Sequence, residues 1–216
     1  TIICPPFVFL SVVAKVLSGY GKPSLGSQDV FVGKGSAHTG EVSAGQLKSA
    51  GVKYVIVGHS EHRASGDTDI VVREKLFGAL LSGLKTILCI GEHERTPDGK
   101  HFAFLKDELQ NALLKLPKAH VKNPVIAYEP VWAIGKSDRE AMSPEDLREV
   151  TIFIRRELSL LFGVKQAEKI PVLYGGSVTE RNAKALVAEG GVDGLLVGRE
   201  SLHAEDFLNI AHLIGK

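Results

Sequence analysis

Residues 171–197 read PVLYGGSVTERNAKALVAEGGVDGLLV, and one complete structural unit is legible in them. Pro171 to Tyr174 is a short apolar run stopped by Gly175-Gly176, the pattern of a buried strand. Thr179 and Glu180 open a helix as N-cap and early acid, and Gly190-Gly191 closes it near Glu189. A second apolar run, GLLV (194–197), follows at once. Strand, helix and strand in this order imply parallel strands joined by a crossover.

The same alternation extends outward along the chain. Further apolar runs are TIIC (1–4), PSLGSQDV (23–30), YVIV (54–57), TILCI (86–90) and PVIAY (124–128). The clearest helix spans Ser143 to Phe162, where Leu147, Val150, Ile154, Leu158 and Leu161 recur three or four apart. Ser143-Pro144-Glu145 supplies an N-cap, a proline at the first helical position and an acid, and Gly163 stops it. Lys100 to Lys115 reads as a solvated helix with a buried stripe. Near-continuous apolar strands imply burial on both faces. Two α/β architectures fit, an open doubly wound sheet or a closed (β/α)8 barrel. The G-x-G-x-x-G turn expected of a dinucleotide-binding open sheet is absent after the first strand. Seven strand–helix units are counted, one short of a closed barrel.

Composition excludes several classes of function. With 216 residues, 44% hydrophobic, 24% charged and a net charge of +1, the chain suits one soluble domain, without the basic footprint of nucleic-acid or membrane binding. No apolar stretch approaches the length of a membrane span. Cys4 and Cys89 both lie within apolar runs, which suits buried thiols in a reducing compartment better than a disulfide. The expected address is cytoplasmic. No His, Cys and Asp spacing suggests zinc or calcium. His101, His120, His203 and His212 read as surface or packing residues.

In a parallel barrel, chemistry sits where strands end and loops begin. Glu129 ends PVIAY, and Pro130 forces the chain out of the ladder, so a carboxylate stands at a strand edge where it can accept a proton. The competing reading is an acid that faces solvent or pairs with a lysine. His59 follows YVIV-Gly58, and Ser60-Glu61 begin a helical turn whose backbone dipoles disfavour imidazolium. A neutral imidazole there can donate to a carbonyl, although a hydrogen-bonded structural histidine fits the same position. Glycine turns at Gly175-Gly176-Ser177 and Gly198-Arg199 can converge backbone N–H groups on a phosphate. Glu92, after ILCIG, reads as a structural hydrogen-bonding acid.

Together the segments GVKYVIVGHSEHR, ILCIGE, AYEPVWAIG, VLYGGSV and VDGLLVG closely resemble triosephosphate isomerase, in that family's order and at roughly its spacing. The resemblance covers essentially the whole chain and implies a TIM barrel, a cofactor-free isomerase of glycolysis and gluconeogenesis, and a homodimer. It implies interconversion of D-glyceraldehyde 3-phosphate and dihydroxyacetone phosphate through an enediol(ate). By position, Glu129 matches the base, His59 the electrophile, and Glu61 a buried acid that orders the catalytic groups; the carboxylate base and neutral histidine are known features of this family. Trp132, Ala133 and Ile134 match the lid and Tyr174 its latch. Gly135, Ser177, Gly198 and Arg199 match the phosphate grip. The loop Gly33 to Glu41, with Thr39, matches an arm inserted into a second subunit.

Four departures stand out. The family's Asn-x-Lys motif does not occur, and TIICPPFVFL matches its second strand. The expectation is therefore one barrel domain over 1–216, N-terminally incomplete, with seven of eight units and no lysine assigned to the substrate. The lid runs on through Lys136-Ser137-Asp138-Arg139-Glu140-Ala141-Met142, with a glycine lost and residues inserted. Arg199 stands where a second glycine is usual, which strains the backbone if that position needs a positive φ. His62 stands where arginine is common. Two other readings are a truncated, non-catalytic remnant that binds phosphate weakly or needs a partner chain, and a Schiff-base aldolase. The aldolase needs a lysine at a strand end, where Glu129 stands instead.

Overall fold

The computed structural model describes residues 1–33, 37–121, 124–136 and 141–215. Residues 34–36 of the expected arm and 137–140 of the expected lid lie outside the described residues. The chain forms two compact units, 1–88 with 111–124, and 89–110 with 125–216.

The first unit opens with β1 (Ile2–Ile3), α1 (Leu10–Leu17), β2 (Ser24–Ser27), α2 (Ala44–Ser49) and β3 (Tyr54–Val57). It continues through α3 (Ser60–Ala64), α4 (Asp69–Leu81) and the start of β4 (Lys85–Ile90). Its strands pair in parallel and in sequence order, Ile2 with Ser24, Gly26 with Tyr54, and Tyr54 to Val57 with Lys85 to Leu88. β3 is β-branched and buried at Val55, Ile56 and Val57, and α4 turns Val72, Leu76 and Leu80 into the core. Each such side chain contributes about 1.5–3 kcal/mol on leaving water. Ser43 and Gln46 cap α2 reciprocally, and Thr68 caps α4.

β2 stops at Ser27, short of the expected Val30. Beyond it Ser27 Oγ donates to Asp29 O (3.1 Å), and the Asp29 carboxylate turns to Lys75 Nζ (2.9 Å). The loop that follows is closed at its base, where the Phe31 N–H donates to Val42 O (2.9 Å). The rings of Phe31 and His38 lie 4.4 Å apart. Cys89 is buried and Cys4 half-buried, and no disulfide joins them.

The second unit holds the end of β4, most of α5 (Lys100–Leu113), β5 (Pro124–Tyr128), α6 (Pro144–Phe162) and α7 (Val164–Ala167). It is completed by β6 (Val172–Tyr174), α8 (Glu180–Gly190), β7 (Gly194–Leu195) and α9 (Ala204–Ile214). Ile126 to Tyr128 pair in parallel with Val172 to Tyr174, and Leu173-Tyr174 with Gly194-Leu195. α6 keeps the expected limits: Ser143 Oγ accepts from the Asp146 N–H (3.1 Å), Pro144 is the first helical residue and Gly163 ends it. Its Leu147, Val150, Ile154 and Leu158 are fully buried. α6 packs on α8, and α8 on α9.

All seven expected strands are present, every described pair is parallel, and helices alternate with them, so the fold is α/β. The stripe of α5 differs from a purely apolar one. Besides Leu105, Leu109 and Ala112 it buries His101, stacked on Phe102 at 4.2 Å, and Glu108.

Candidate active site

Glu129 stands at the end of β5 and is only 2% exposed. Its N–H donates to Ile90 O (2.8 Å), extending the ladder one residue past the strand, and Pro130 then leaves the sheet. The side chain lies against the end of β6. A Cβ added to Gly175 would meet Glu129 Cγ at 2.8 Å and Oε1 at 3.3 Å. Gly175 is itself fixed, since its N–H donates to Tyr128 O (2.8 Å). The glycine after VLY is therefore required by close approach of the carboxylate, a reason its turn chemistry alone did not supply.

The segment after Glu129 is anchored by a second acid. Glu92, also 2% exposed, accepts through Oε1 from the Tyr128 hydroxyl (2.9 Å) and from Trp132 Nε1–H (2.8 Å). Glu92 O accepts from the Val131 N–H (3.0 Å). One residue thus holds the strand before Glu129 and the turn after it, the structural role expected of it. Burial first, then the adjacent Glu92 charge, pushes the Tyr128 phenol well above its usual range.

Ser177, Gly135, Gly198 and Arg199 all belong to this unit. Ser177 Oγ lies 2.8 Å from Ala133 O and 3.0 Å from Lys136 O, so its proton serves the backbone on either side of Ile134 and Gly135. Gly135 has φ +73°, and Arg199 Nη2 approaches within 3.7 Å of where its Cβ would stand. Gly198 precedes a 3-10 turn, Arg199–Leu202. Arg199 is not in the left-handed region, where Lys115 is the only described residue other than glycine, so the strain anticipated at Arg199 does not arise. Tyr174 is buried, and burial pushes its hydroxyl up to about 12. The Met142 backbone partly opposes that rise, and the Glu92 charge adds to it.

His59 and Glu61 belong to the first unit. His59 is the N-cap of α3, and its Nδ1 accepts from the Glu61 N–H (3.3 Å). An accepting Nδ1 leaves the proton of the neutral ring on Nε2. Burial pulls the pKa below 6.5; the Glu61 carboxylate opposes this and His62 adds to it. Glu61 itself departs from expectation. Its side chain is 89% exposed rather than buried, because the second position of this short helix splays outward into solvent. Its backbone contacts the histidine, and its carboxylate stands 3.9 Å from Nδ1.

Two features escaped the sequence. Glu108 Oε2 accepts from the Gly91 N–H (2.8 Å) beneath the strand end that carries Glu92. Its position three residues after Leu105 and four before Ala112 puts it on the buried stripe, so periodicity carried the signal. Asp29, His62 and Asp67 also cluster closely enough to hold a cation. Lys75 Nζ already bonds both carboxylates, at 2.9 Å to Asp29 and 2.7 Å to Asp67, while His62 stands 3.7 Å from Asp29. Asp29 is remote in sequence from the other three, and no local pattern marks the cluster.

With this geometry in place, four similarities bear on the chain. The family model described as Triosephosphate isomerase matches residues 1–214. Triosephosphate isomerase of Thermoanaerobacter sp. (strain X514) is 41% identical over 213 residues, 98% of this chain and 85% of that protein. The Carboxydothermus hydrogenoformans protein of the same name is 42% identical over 210 residues, 96% of this chain and 82% of its own length. The crystal structure of triosephosphate isomerase from Bartonella henselae superposes with a TM-score of 0.88 at 37% identity, covering 100% of this chain and 86% of that one.

Proposed function

The chain belongs to the triosephosphate isomerase family, and on that premise we propose that Glu129 and His59 divide the proton transfers of its reaction. It is an isomerase that interconverts D-glyceraldehyde 3-phosphate and dihydroxyacetone phosphate through an enediol(ate). Glu129 takes the proton from the carbon beside the carbonyl and returns it to the neighbouring carbon. Its burial at the strand end, against a glycine that leaves room only for its own side chain, is the observation that carries this assignment. Exclusion of water from that carboxylate removes a competing proton acceptor. His59, with its proton on Nε2, donates to the carbonyl oxygen and moves protons between the two oxygens of the intermediate. The depressed pKa favours that role, because an uncharged donor can give its proton up and take it back.

Gly135, Ser177 and the N–H groups at Gly198 and Arg199 hold the phosphate, and Trp132, Ala133 and Ile134 form a lid that excludes water while Tyr174 latches it. Glu61 acts on His59 through its backbone N–H and its nearby charge. The seven strand–helix units are seven of the eight of one (β/α)8 barrel domain. The loop Gly33 to Glu41 is the arm of a homodimer, and the protein works in the cytoplasm; no described helix is long and apolar enough to cross a membrane.

The test is Glu129→Gln, which keeps the shape of the side chain and removes its basicity. Turnover is expected to fall by about a thousandfold or more, while inhibition by a phosphate-bearing competitor is preserved within about threefold. Comparable turnover in the variant would end the assignment.

A further inference from the structure

We propose that the Arg199 guanidinium is an additional binding group for the substrate's phosphate, reaching it from the side of the lid. The inference rests on the phosphate grip proposed above, and it concerns the side chain rather than the peptide N–H.

Arg199 follows Gly198 directly and starts a turn whose geometry is held by Ser201, with its N–H (2.9 Å) and its hydroxyl (2.6 Å) both donating to Gly198 O. From there the guanidinium reaches back over Gly135: the Cβ that Gly135 lacks would meet Nη2 at 3.7 Å and Cζ at 4.0 Å. The same stretch of lid is held by Ser177 Oγ through Ala133 O and Lys136 O. A cation therefore stands beside Gly135, one of the groups assigned to the phosphate, and is covalently next to Gly198, another. Arg199 is exposed, and among the described residues no carboxylate is paired with it. Its planar fork of donors matches a phosphate dianion, two N–H groups to two oxygens. Triose phosphates carry such a dianion on the carbon remote from the chemistry, so this contact adds equally to substrate and transition-state binding. Its signature is a change in KM rather than in kcat.

The test compares the native protein with Arg199→Gln, Arg199→Lys and Ser177→Ala in steady-state kinetics, using inorganic phosphate as a competitive probe. In Arg199→Gln, KM and the phosphate inhibition constant should both rise about tenfold, the lower end for a charged hydrogen bond at an exposed site. Turnover should stay within about threefold, and Arg199→Lys should recover part of the loss. Values of KM and inhibition constant within twofold of native in Arg199→Gln would overturn the inference, as would a fall in kcat with the inhibition constant unchanged. If phosphate inhibition weakens in Ser177→Ala alone, the inference about Arg199 fails and the grip stands. If it weakens in neither variant, the grip itself is misassigned and the inference falls with it.

Discussion

Gly175→Ala tests whether the position of the Glu129 carboxylate sets the rate. The new methyl would stand 2.8 Å from Glu129 Cγ, 3.3 Å from Oε1 and 3.5 Å from Leu196 Cβ. Carbon atoms rest about 3.5–4.0 Å apart, so Cγ must retreat by roughly 0.7 Å or more. The methyl cannot move away instead, because the Gly175 N–H is bonded to Tyr128 O and Leu196 closes the other side. Gly175 is outside the left-handed region, so alanine adds no backbone strain and the effect is one of space alone. A displacement of about 1 Å from a productive geometry costs on the order of a hundredfold in rate. The variant should therefore lose about a hundredfold in kcat, with KM within about threefold and stability lower by about 1–3 kcal/mol from overpacking. A coupled isomerase assay on variant protein of native circular dichroism measures this. A kcat within threefold of native in folded protein would refute the argument that the glycine exists to seat the carboxylate.

The depressed pKa of His59 makes a pH-dependent contribution of definite sign. The native ring resists protonation that the unfolded ring accepts near 6.5, so stability should fall as pH drops from about 6.5 through the native value. His59→Gln should flatten that slope in urea titrations between pH 5 and 8, and a His59 ring resonance titrating above 6.5 would contradict the environment described. Lys75 has the opposite linkage: burial opposes its charge, but the hydrogen bonds to Asp67 and Asp29 outweigh this and raise its pKa. Its contribution is present below about 10.5 and lost as pH rises through the higher native value. Lys75→Met, which leaves both carboxylates without their cation, should destabilise by about 2–3 kcal/mol at pH 7, less than a fully buried pair because both acids are partly exposed. A loss under 0.5 kcal/mol in urea unfolding would show the cluster to be solvated. Ser143→Ala removes the acceptor for the Asp146 N–H and should lower stability by about 1 kcal/mol. An unchanged melting temperature would mean that the end of α6 is held by packing alone.

What the sequence made legible was local. Apolar runs punctuated by glycine and proline located all seven strands, and caps at Ser143, Thr179 and Gly163 located the ends of α6 and α8. Glu129 and His59 could be singled out because a strand end is itself a local signal. The rest depended on contacts across long separations. Glu61 is exposed because of the outward direction of one helical position, which its motif does not encode. The Ser177 hydroxyl serves the carbonyls of Ala133 and Lys136, more than forty residues away in sequence. Lys75 meets Asp29, two residues past the end of β2, across a separation of 46 residues. Gly175 was legible as a turn residue, whereas its second purpose, room for a carboxylate from another strand, required the packing of β5 against β6.

The most direct test of Glu129 as the base is isotope exchange in D2O. Native protein equilibrated with dihydroxyacetone phosphate should place one deuterium on the carbon that is deprotonated, read by proton NMR, because the protonated carboxyl exchanges with solvent before returning its proton. Glu129→Gln should show both isomerisation and deuterium incorporation reduced together by about a thousandfold or more. Incorporation at the native rate in the Glu129→Gln protein would mean that another group takes the proton, and the central assignment would be wrong.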